Sequence, residues 1–216
     1  RVRSSAASDV YKRQGYNGFP KSICISINDE AVHGIPGPRK IRDGDLVSLD
    51  LGLVIDGFWA DMGVTVPVGE VSAENMRLVR VTEEAFWKAI EQCVPGNRLG
   101  DVSSAVQQHV EAAGFNVIRQ FVGHGIGRNM HEDPQVPNFG RPGTGPELKP
   151  GMTLAIEPMV NLGSPDVYIK PDGWTVCTVD GQPSSYYEHT VAITKDGASI
   201  LTMSDENLRA TQQVAV

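Results

Sequence analysis

Asp43-Gly-Asp-Leu-Val-Ser-Leu-Asp50 and Pro150-Gly-Met-Thr-Leu-Ala-Ile-Glu157 each place a carboxylate six residues after a glycine, at the end of an apolar, strand-like run. A carboxylate in such a setting is costly unless it is paired or binds a metal. A match on so few positions carries little weight by itself. It nevertheless suggests two related halves that bring acids to a shared centre. Asp61 stands eleven residues after Asp50, beyond Asp56-Gly57, a dipeptide favoured in two-residue hairpin turns. Strands over 45–51 and 53–58 are expected in succession, and antiparallel pairing would bring Asp50 and Asp61 toward the same end of the sheet. Two ordinarily solvated turn aspartates are the plain alternative for that pair.

Outward from this unit, Ser22–Ile27 alternates Ile23, Ile25 and Ile27, the pattern of a half-buried strand that Asn28-Asp29 ends. Ser72 can cap a helix whose apolar face is Met76, Val79, Thr82, Phe86, Ile90 and Cys93, with Pro95-Gly96 as the stop. A second helix follows with Leu99, Val102, Val106, Val110 and Ala113 on one face and Gly114 as its exit. Met152–Ile156 and Thr190–Ile193 read as further strands. Strands, then two helices, then strands predict an α+β layered arrangement.

The length of 216 residues fits one domain with a real core. A net charge of −7 without long runs excludes a phosphate-binding surface, so nucleic acid is not expected as a partner. Neither a membrane span nor a secretory leader is expected, because no run of apolar residues is long enough. Cys24, Cys93 and Cys177 are odd in number and far apart, which argues against a disulfide framework or a thiolate zinc site and favours a reducing cytoplasm. Ser4–Gln14 resembles a translated sequencing adaptor. Residues 1–14 are therefore expected to lie outside the fold, and 15–216 to be a single catalytic domain, truncated at its N terminus, from a gene fragment.

The chemistry concentrates in three places. Gly123-His-Gly-Ile-Gly-Arg-Asn-Met-His-Glu-Asp-Pro134 sets two histidines around glycines that allow close backbone approach to a ligand. A neutral imidazole is a good transition-metal ligand, and a second one nearby can donate to a polarised carbonyl. Glu157 sits in Ala155-Ile-Glu-Pro-Met159, where Pro158 argues against a helix interior. Glu188 lies in Tyr186-Tyr-Glu-His-Thr-Val191. Each glutamate alone reads equally as salt-bridged or as an edge-strand acid. With Asp50, Asp61 and His124 they make an oxygen-rich set, suited to two adjacent divalent ions rather than to a closed thiolate site.

These motifs, together with His33-Gly-Ile-Pro36, Asp56-Gly-Phe58 and Glu188-His-Thr190, resemble type I methionine aminopeptidases in order and spacing, from Gly15 to about Leu201. The resemblance implies a pita-bread fold, with a dinuclear metal centre between two pseudo-symmetric halves. It makes Asp50, Asp61, His124, Glu157 and Glu188 the metal ligands, Asp61 and Glu188 bridging two divalent ions drawn from cobalt, manganese, iron or zinc. His33, His131 and Glu157 become catalytic: Glu157 shuttles the proton of the attacking water, His131 helps stabilise the oxyanion and His33 holds the substrate. Tyr16, Phe19, Cys24, Met130 and Trp174 would line the methionine pocket, with His33 and His131 also touching substrate. Met130 stands where the family usually has Phe. The residues just upstream of Gly15, which normally reach the pocket rim, are replaced by the adaptor-like segment.

The same resemblance implies removal of the initiator methionine from nascent polypeptides whose next residue is small, in the cytoplasm, by a monomer that can associate with ribosomes. An Xaa-Pro type pita-bread peptidase, or a pita-bread protein that binds without catalysis, are the competing readings. His109 is expected to be structural, and His189 to position Glu188 or pack beside it.

Overall fold

The computed structural model describes residues 11–12 and 15–203. Its elements run β1 (Tyr11–Lys12), β2 (Cys24–Ile27), β3 (Glu30–Val32), β4 (Leu46–Ile55), β5 (Phe58–Pro67), α1 (Ala73–Gln92), α2 (Leu99–Ala112), β6 (Asn116–Val117), β7 (Gly123–Gly125), β8 (Glu132–Val136), β9 (Thr153–Ile156), β10 (Met159–Asn161), β11 (Val167–Ile169), β12 (Val176–Thr178), β13 (Ser184–Thr194) and β14 (Gly197–Ile200). The main sheet has the order β1-β4-β5-β13-β9-β7-β8. β2 joins β4, β10 and β14 join β13, and β6 joins β10, while β11-β12-β3 form a separate three-stranded sheet. Of the segment expected to lie outside the fold, Tyr11 and Lys12 pair with Val54 and Leu53; residues 1–10, 13 and 14 are not among those described.

The Asp56-Gly57 turn closes one continuous hairpin, with Asp56 at φ 51° and Gly57 at φ 79° supplying the two left-handed residues such a turn needs. The expected break between 51 and 53 is absent. β4 runs unbroken through Gly52 and pairs residue by residue with β5, from Leu46↔Pro67 to Ile55↔Phe58. Gly52 is a packing gap rather than a strand end: a Cβ there would lie 2.8 Å from the Met130 methyl. Asp50 and Asp61 therefore sit in mid-strand. In β2 the expected alternation holds at Ile27, which is buried, but not at Ile25. Cys24 and Ser26 are buried and Ile25 only half-buried, because Cys24 pairs with Asp50 on the inner face while Ile25 lies on the other.

Both helices cover the opposite face of the sheet. Leu78, Val81, Ala85, Phe86 and Ala89 of α1 and Val102, Val106 and Val110 of α2 share one apolar cluster with Leu154, Ile156, Val191 and Ile193. Alternation along β9 and β13 delivers these residues to the helices and leaves their neighbours for the other face. Ser72 caps α1 as expected, its Oγ accepting from Asn75 N at 3.1 Å. The expected stripe is shifted, however: Met76 is 46% exposed, and burial begins at Leu78 because the first turn stands clear of the sheet.

α2 begins with a box. The Asp101 carboxylate accepts from Arg98 N and from Gly143 N, each at 2.7 Å. These bonds, the Arg98 one first, hold its pKa below the ordinary carboxylate value. Replacing Asp101 with Ala is expected to cost about 1 kcal/mol, a fall of about 2–4 °C in melting temperature for a chain of this size. A folded pKa below the unfolded one stabilises above the unfolded value of about 3.9 and is lost as pH falls through the folded value. The difference between wild type and variant, measured by thermal melting, should therefore shrink below pH 4.

Candidate metal centre

The sheet order places β4, β5, β13, β9 and β7 side by side; Asp50, Asp61, Glu188 and His124 come from four of them and Glu157 follows directly on β9. Cross-strand partners share a face. Asp50 pairs with Gly63, which pairs on its other side with Glu188; Asp61 pairs with Gly52, two residues from Asp50. Thr190 and His124 both pair with Ala155, two residues before Glu157. By the two-residue period, Asp50, Asp61, Glu188, Glu157 and His124 all emerge on the face turned away from the helices. The structure thus gathers the predicted ligand positions into one cleft. The two echoed strands, β4 and β9, lie symmetrically about the β5–β13 pair at its centre.

Two threonines not anticipated from the sequence hold that central pair. Thr65 Oγ1 accepts from Tyr186 N at 2.8 Å and donates to Tyr186 O at 2.9 Å. Thr190 Oγ1 does the same to Asp61, accepting from its N at 2.8 Å and donating to its O at 2.9 Å. A hydroxyl that both accepts and donates stands in for a backbone pair where the ladder ends. The backbones of Asp61 and of the residue two before Glu188 are fixed by it.

Burial is deep: Asp61 and Glu188 are each 1% exposed, and Asp50 and His124 are buried with them. His124 Nδ1 lies 2.9 Å from Gly125 O, which can only accept. Nδ1 therefore carries the ring proton, and Nε2, 3.6 Å from Glu157 Oε1, presents its lone pair to the cleft. One donor atom each from Asp61, His124 and Glu188 lies within 4.8 Å of the others. Burial first, and then the charges of Asp61, Glu157 and Asp50, push the Glu188 carboxyl well above its ordinary range, although the Tyr186 hydroxyl opposes this. Glu188 Oε1 is buried without a hydrogen-bond partner. Four clustered acids, one imidazole and a buried carboxylate oxygen lacking a donor are surroundings that a divalent cation satisfies.

A cavity of about 230 Å³ opens onto these groups, lined by Val32, His33, Asp50, Phe121, His124, His131, Glu157, Met159 and Tyr186 among others. His33 adopts φ 59° and sets its ring edge-on to Phe121 at 5.7 Å. His131 stacks tilted on His124 with centroids 4.1 Å apart, and its Nδ1 is 2.7 Å from the Tyr16 hydroxyl.

Tyr16, Phe19, Cys24, Met130 and Trp174 stand outside this lining. Phe19 meets Trp174 edge-on at 5.2 Å, Cys24 pairs with Asp50 across the ladder, and the Met130 methyl lies over Gly52, the strand partner of Asp61. His109 bonds Glu84 at 3.1 Å and ties α2 to α1. His189 packs on the helix side against Phe86 and Tyr187, with Nδ1 2.8 Å from Thr202 Oγ1, and burial lowers its pKa to about 4.

Fold and cleft together define a metallopeptidase, and the model of Metallopeptidase family M24 matches residues 3–195. The methionine aminopeptidase of Clostridium perfringens is 56% identical over 190 residues, covering 88% of this chain and 76% of the relative. The crystal structure of the methionine aminopeptidase from Thermotoga maritima superposes with a TM-score of 0.87 at 53% identity, over 88% of this chain and 77% of that one. The prolidase from Pyrococcus furiosus is more distant, with a TM-score of 0.68 at 26% identity over 85% of this chain and 49% of that one. The chain belongs to family M24 and, within it, to the methionine aminopeptidases; its α+β sheet is the pita-bread fold of that family.

Proposed function

We propose that Asp50, Asp61, His124, Glu157 and Glu188 hold two divalent cations in the cleft, and that His33, His131 and Glu157 act on a peptide bound beside them. The enzyme is a metalloaminopeptidase that removes the N-terminal methionine by hydrolysing the first peptide bond. The single observation that carries the residue roles is the convergence of five donors, four on adjacent strands and Glu157 directly after β9, on one face of the sheet. Four carboxylates carry four negative charges, which two divalent ions balance and one leaves half-compensated. Cobalt, manganese, iron and zinc all suit such an O/N donor set.

Divalent ions bound here would lower the pKa of a water and polarise the scissile carbonyl. The rest falls to the chain. Glu157, partly open to the cavity and with its backbone carbonyl held by Asn138 Nδ2 at 2.9 Å, takes a proton from the attacking water and delivers it to the departing amine. His131, whose Nδ1 is 2.7 Å from the Tyr16 hydroxyl, donates from Nε2 to the developing oxyanion, which requires Tyr16 to be the donor of their bond. His33, on the opposite wall, orients the amide. Phe19, Cys24, Met130 and Trp174 supply an apolar flank for the methionine thioether, with Tyr16 at its rim.

The substrates are new polypeptides with a small residue after methionine, met in the cytoplasm. Among the described residues no helix is long and apolar enough to cross a membrane. The identity and TM-score gap between the methionine aminopeptidases and the prolidase weighs against the Xaa-Pro reading. The test is an assay of the full chain with Co(II) or Mn(II) on Met-Ala-Ser and on an Ala-Pro dipeptide. Methionine release alone, lost in Glu157→Ala, is the expected outcome; cleavage of the proline substrate alone would contradict it. In the same assay His131→Ala should lower kcat by about 10²–10³-fold, the loss typical of one oxyanion donor, with KM changed little.

A further inference from the structure

Tyr186 is a cleft residue whose hydroxyl bonds a proposed ligand, and no role above employs it. It precedes Glu188 by two positions on β13, so both side chains rise from the same face. Three observations fix it there. Its backbone N–H and carbonyl are both engaged by Thr65. Its ring fills the space over Gly63, the residue between Asp50 and Glu188 in the ladder, where an added Cβ would lie 2.1 Å from Tyr186 Cε1. It is 3% exposed and lines the cavity wall, so the ring has no alternative site in solvent. From this fixed base its hydroxyl donates to Glu188 Oε2, while Oε1 is buried with no hydrogen-bond partner.

We propose that Tyr186 is a positioning residue for the metal centre: by donating to Oε2 it fixes the rotation in which the Glu188 carboxylate, its partnerless Oε1 included, is offered to the cations. Groups that hydrogen-bond a ligand's second atom orient the first and tune its affinity, commonly by tenfold to a hundredfold. The inference rests on the reading of Glu188 as a ligand. It adds a constraint internal to this chain: Gly63 exists to admit the ring, and the ring exists to aim the hydroxyl.

The test uses the metal-free full chain titrated with Co(II) alone, followed by calorimetry and by visible absorption, which reports the ion's coordination without turnover. Tyr186→Phe keeps the ring over Gly63 and removes the donor. It should weaken Co(II) binding by about tenfold to a hundredfold and change the visible spectrum, while the metal-free variant melts cooperatively near the wild-type temperature. Glu188→Ala, measured alongside, should lose affinity more severely. If Glu188→Ala binds Co(II) like wild type, the ligand reading fails and the inference with it. If Glu188→Ala loses affinity while Tyr186→Phe keeps wild-type affinity and spectrum, the positioning role alone is wrong. A Tyr186→Phe chain that no longer melts cooperatively without metal would make Tyr186 a structural residue and equally overturn the proposal.

Discussion

Replacing Glu188 with Ala is expected to lower kcat/KM for methionine release by about 10³-fold or more, a loss of about 4 kcal/mol of transition-state stabilisation. The size of the effect follows from position. Glu188 lies at the middle of the β5–β13 pair, across Gly63 from Asp50, and its donor atom is grouped with those of Asp61 and His124. The adjoining positions on β13, Tyr187 and His189, face the helices, so no neighbour on the strand can take its place. The accompanying stability change should have the opposite sign in metal-free protein. There Glu188 is buried among three other carboxylates that repel its charge, so its removal relieves a cost that only a bound cation offsets. Metal-free Glu188→Ala should melt at or above the wild-type temperature, whereas added Co(II) should raise the melting point of wild type far more than that of the variant. A variant that melts lower than wild type without metal would show that Glu188 supports the fold rather than the ion.

The second large effect is expected at Gly63. An alanine there puts Cβ 2.1 Å from Cε1 and 2.7 Å from Cδ1 of Tyr186. The Tyr186 ring is buried and its backbone is held at both polar groups by Thr65, so it can make room only by turning about its own side-chain bonds against packed neighbours. Overpacking of this kind costs about 1–3 kcal/mol, or roughly 2–12 °C in melting temperature. Activity should suffer more than stability does, because displacing Tyr186 also withdraws its hydroxyl from Glu188. Gly63→Ala is thus expected to be folded at room temperature, to melt early, and to retain only a few per cent of wild-type turnover, a loss of about 2 kcal/mol. Gly52→Ala is the instructive comparison. Its nearest neighbour is the end of the flexible Met130 side chain at 2.8 Å, which can give way, so a milder loss should appear in the same melting and turnover measurements.

Comparing the two glycines also shows what the sequence could and could not disclose. The acids and histidines were legible because each stands in a local pattern that makes little sense otherwise: an apolar run ending in a carboxylate, or glycines bracketing two imidazoles. The hairpin was legible from Asp56-Gly57, whose preference for positive φ is local. Gly52, by contrast, looked like a break and proved to be a gap filled by Met130, a contact across 78 residues that no local pattern encodes. The α1 stripe was misplaced at Met76 because periodicity gives the face of a helix but not the point at which the sheet begins to cover it. In β2 the large isoleucines suggested an inward Ile25, whereas the inner face at this point is the cleft, and small Cys24 and Ser26 occupy it.

Tyr186, Thr65 and Thr190 were missed for a related reason. Each acts through a partner more than 100 residues away in sequence or through a register only the paired strands reveal. One signal was present nonetheless. Tyr186 is two residues before Glu188, and in a strand that spacing alone predicts a shared face.

Five side chains, four on strands and Glu157 directly after β9, are proposed to form one cation centre. This is tested most directly by growing crystals of the full chain with Co(II) and recording an anomalous difference map at the cobalt absorption edge. Two peaks are expected in the cleft, within coordination distance of the Asp61 and Glu188 carboxylates, one of them also reached by His124 Nε2. A map with no peak in the cleft, or with cobalt bound only elsewhere on the chain, would contradict it.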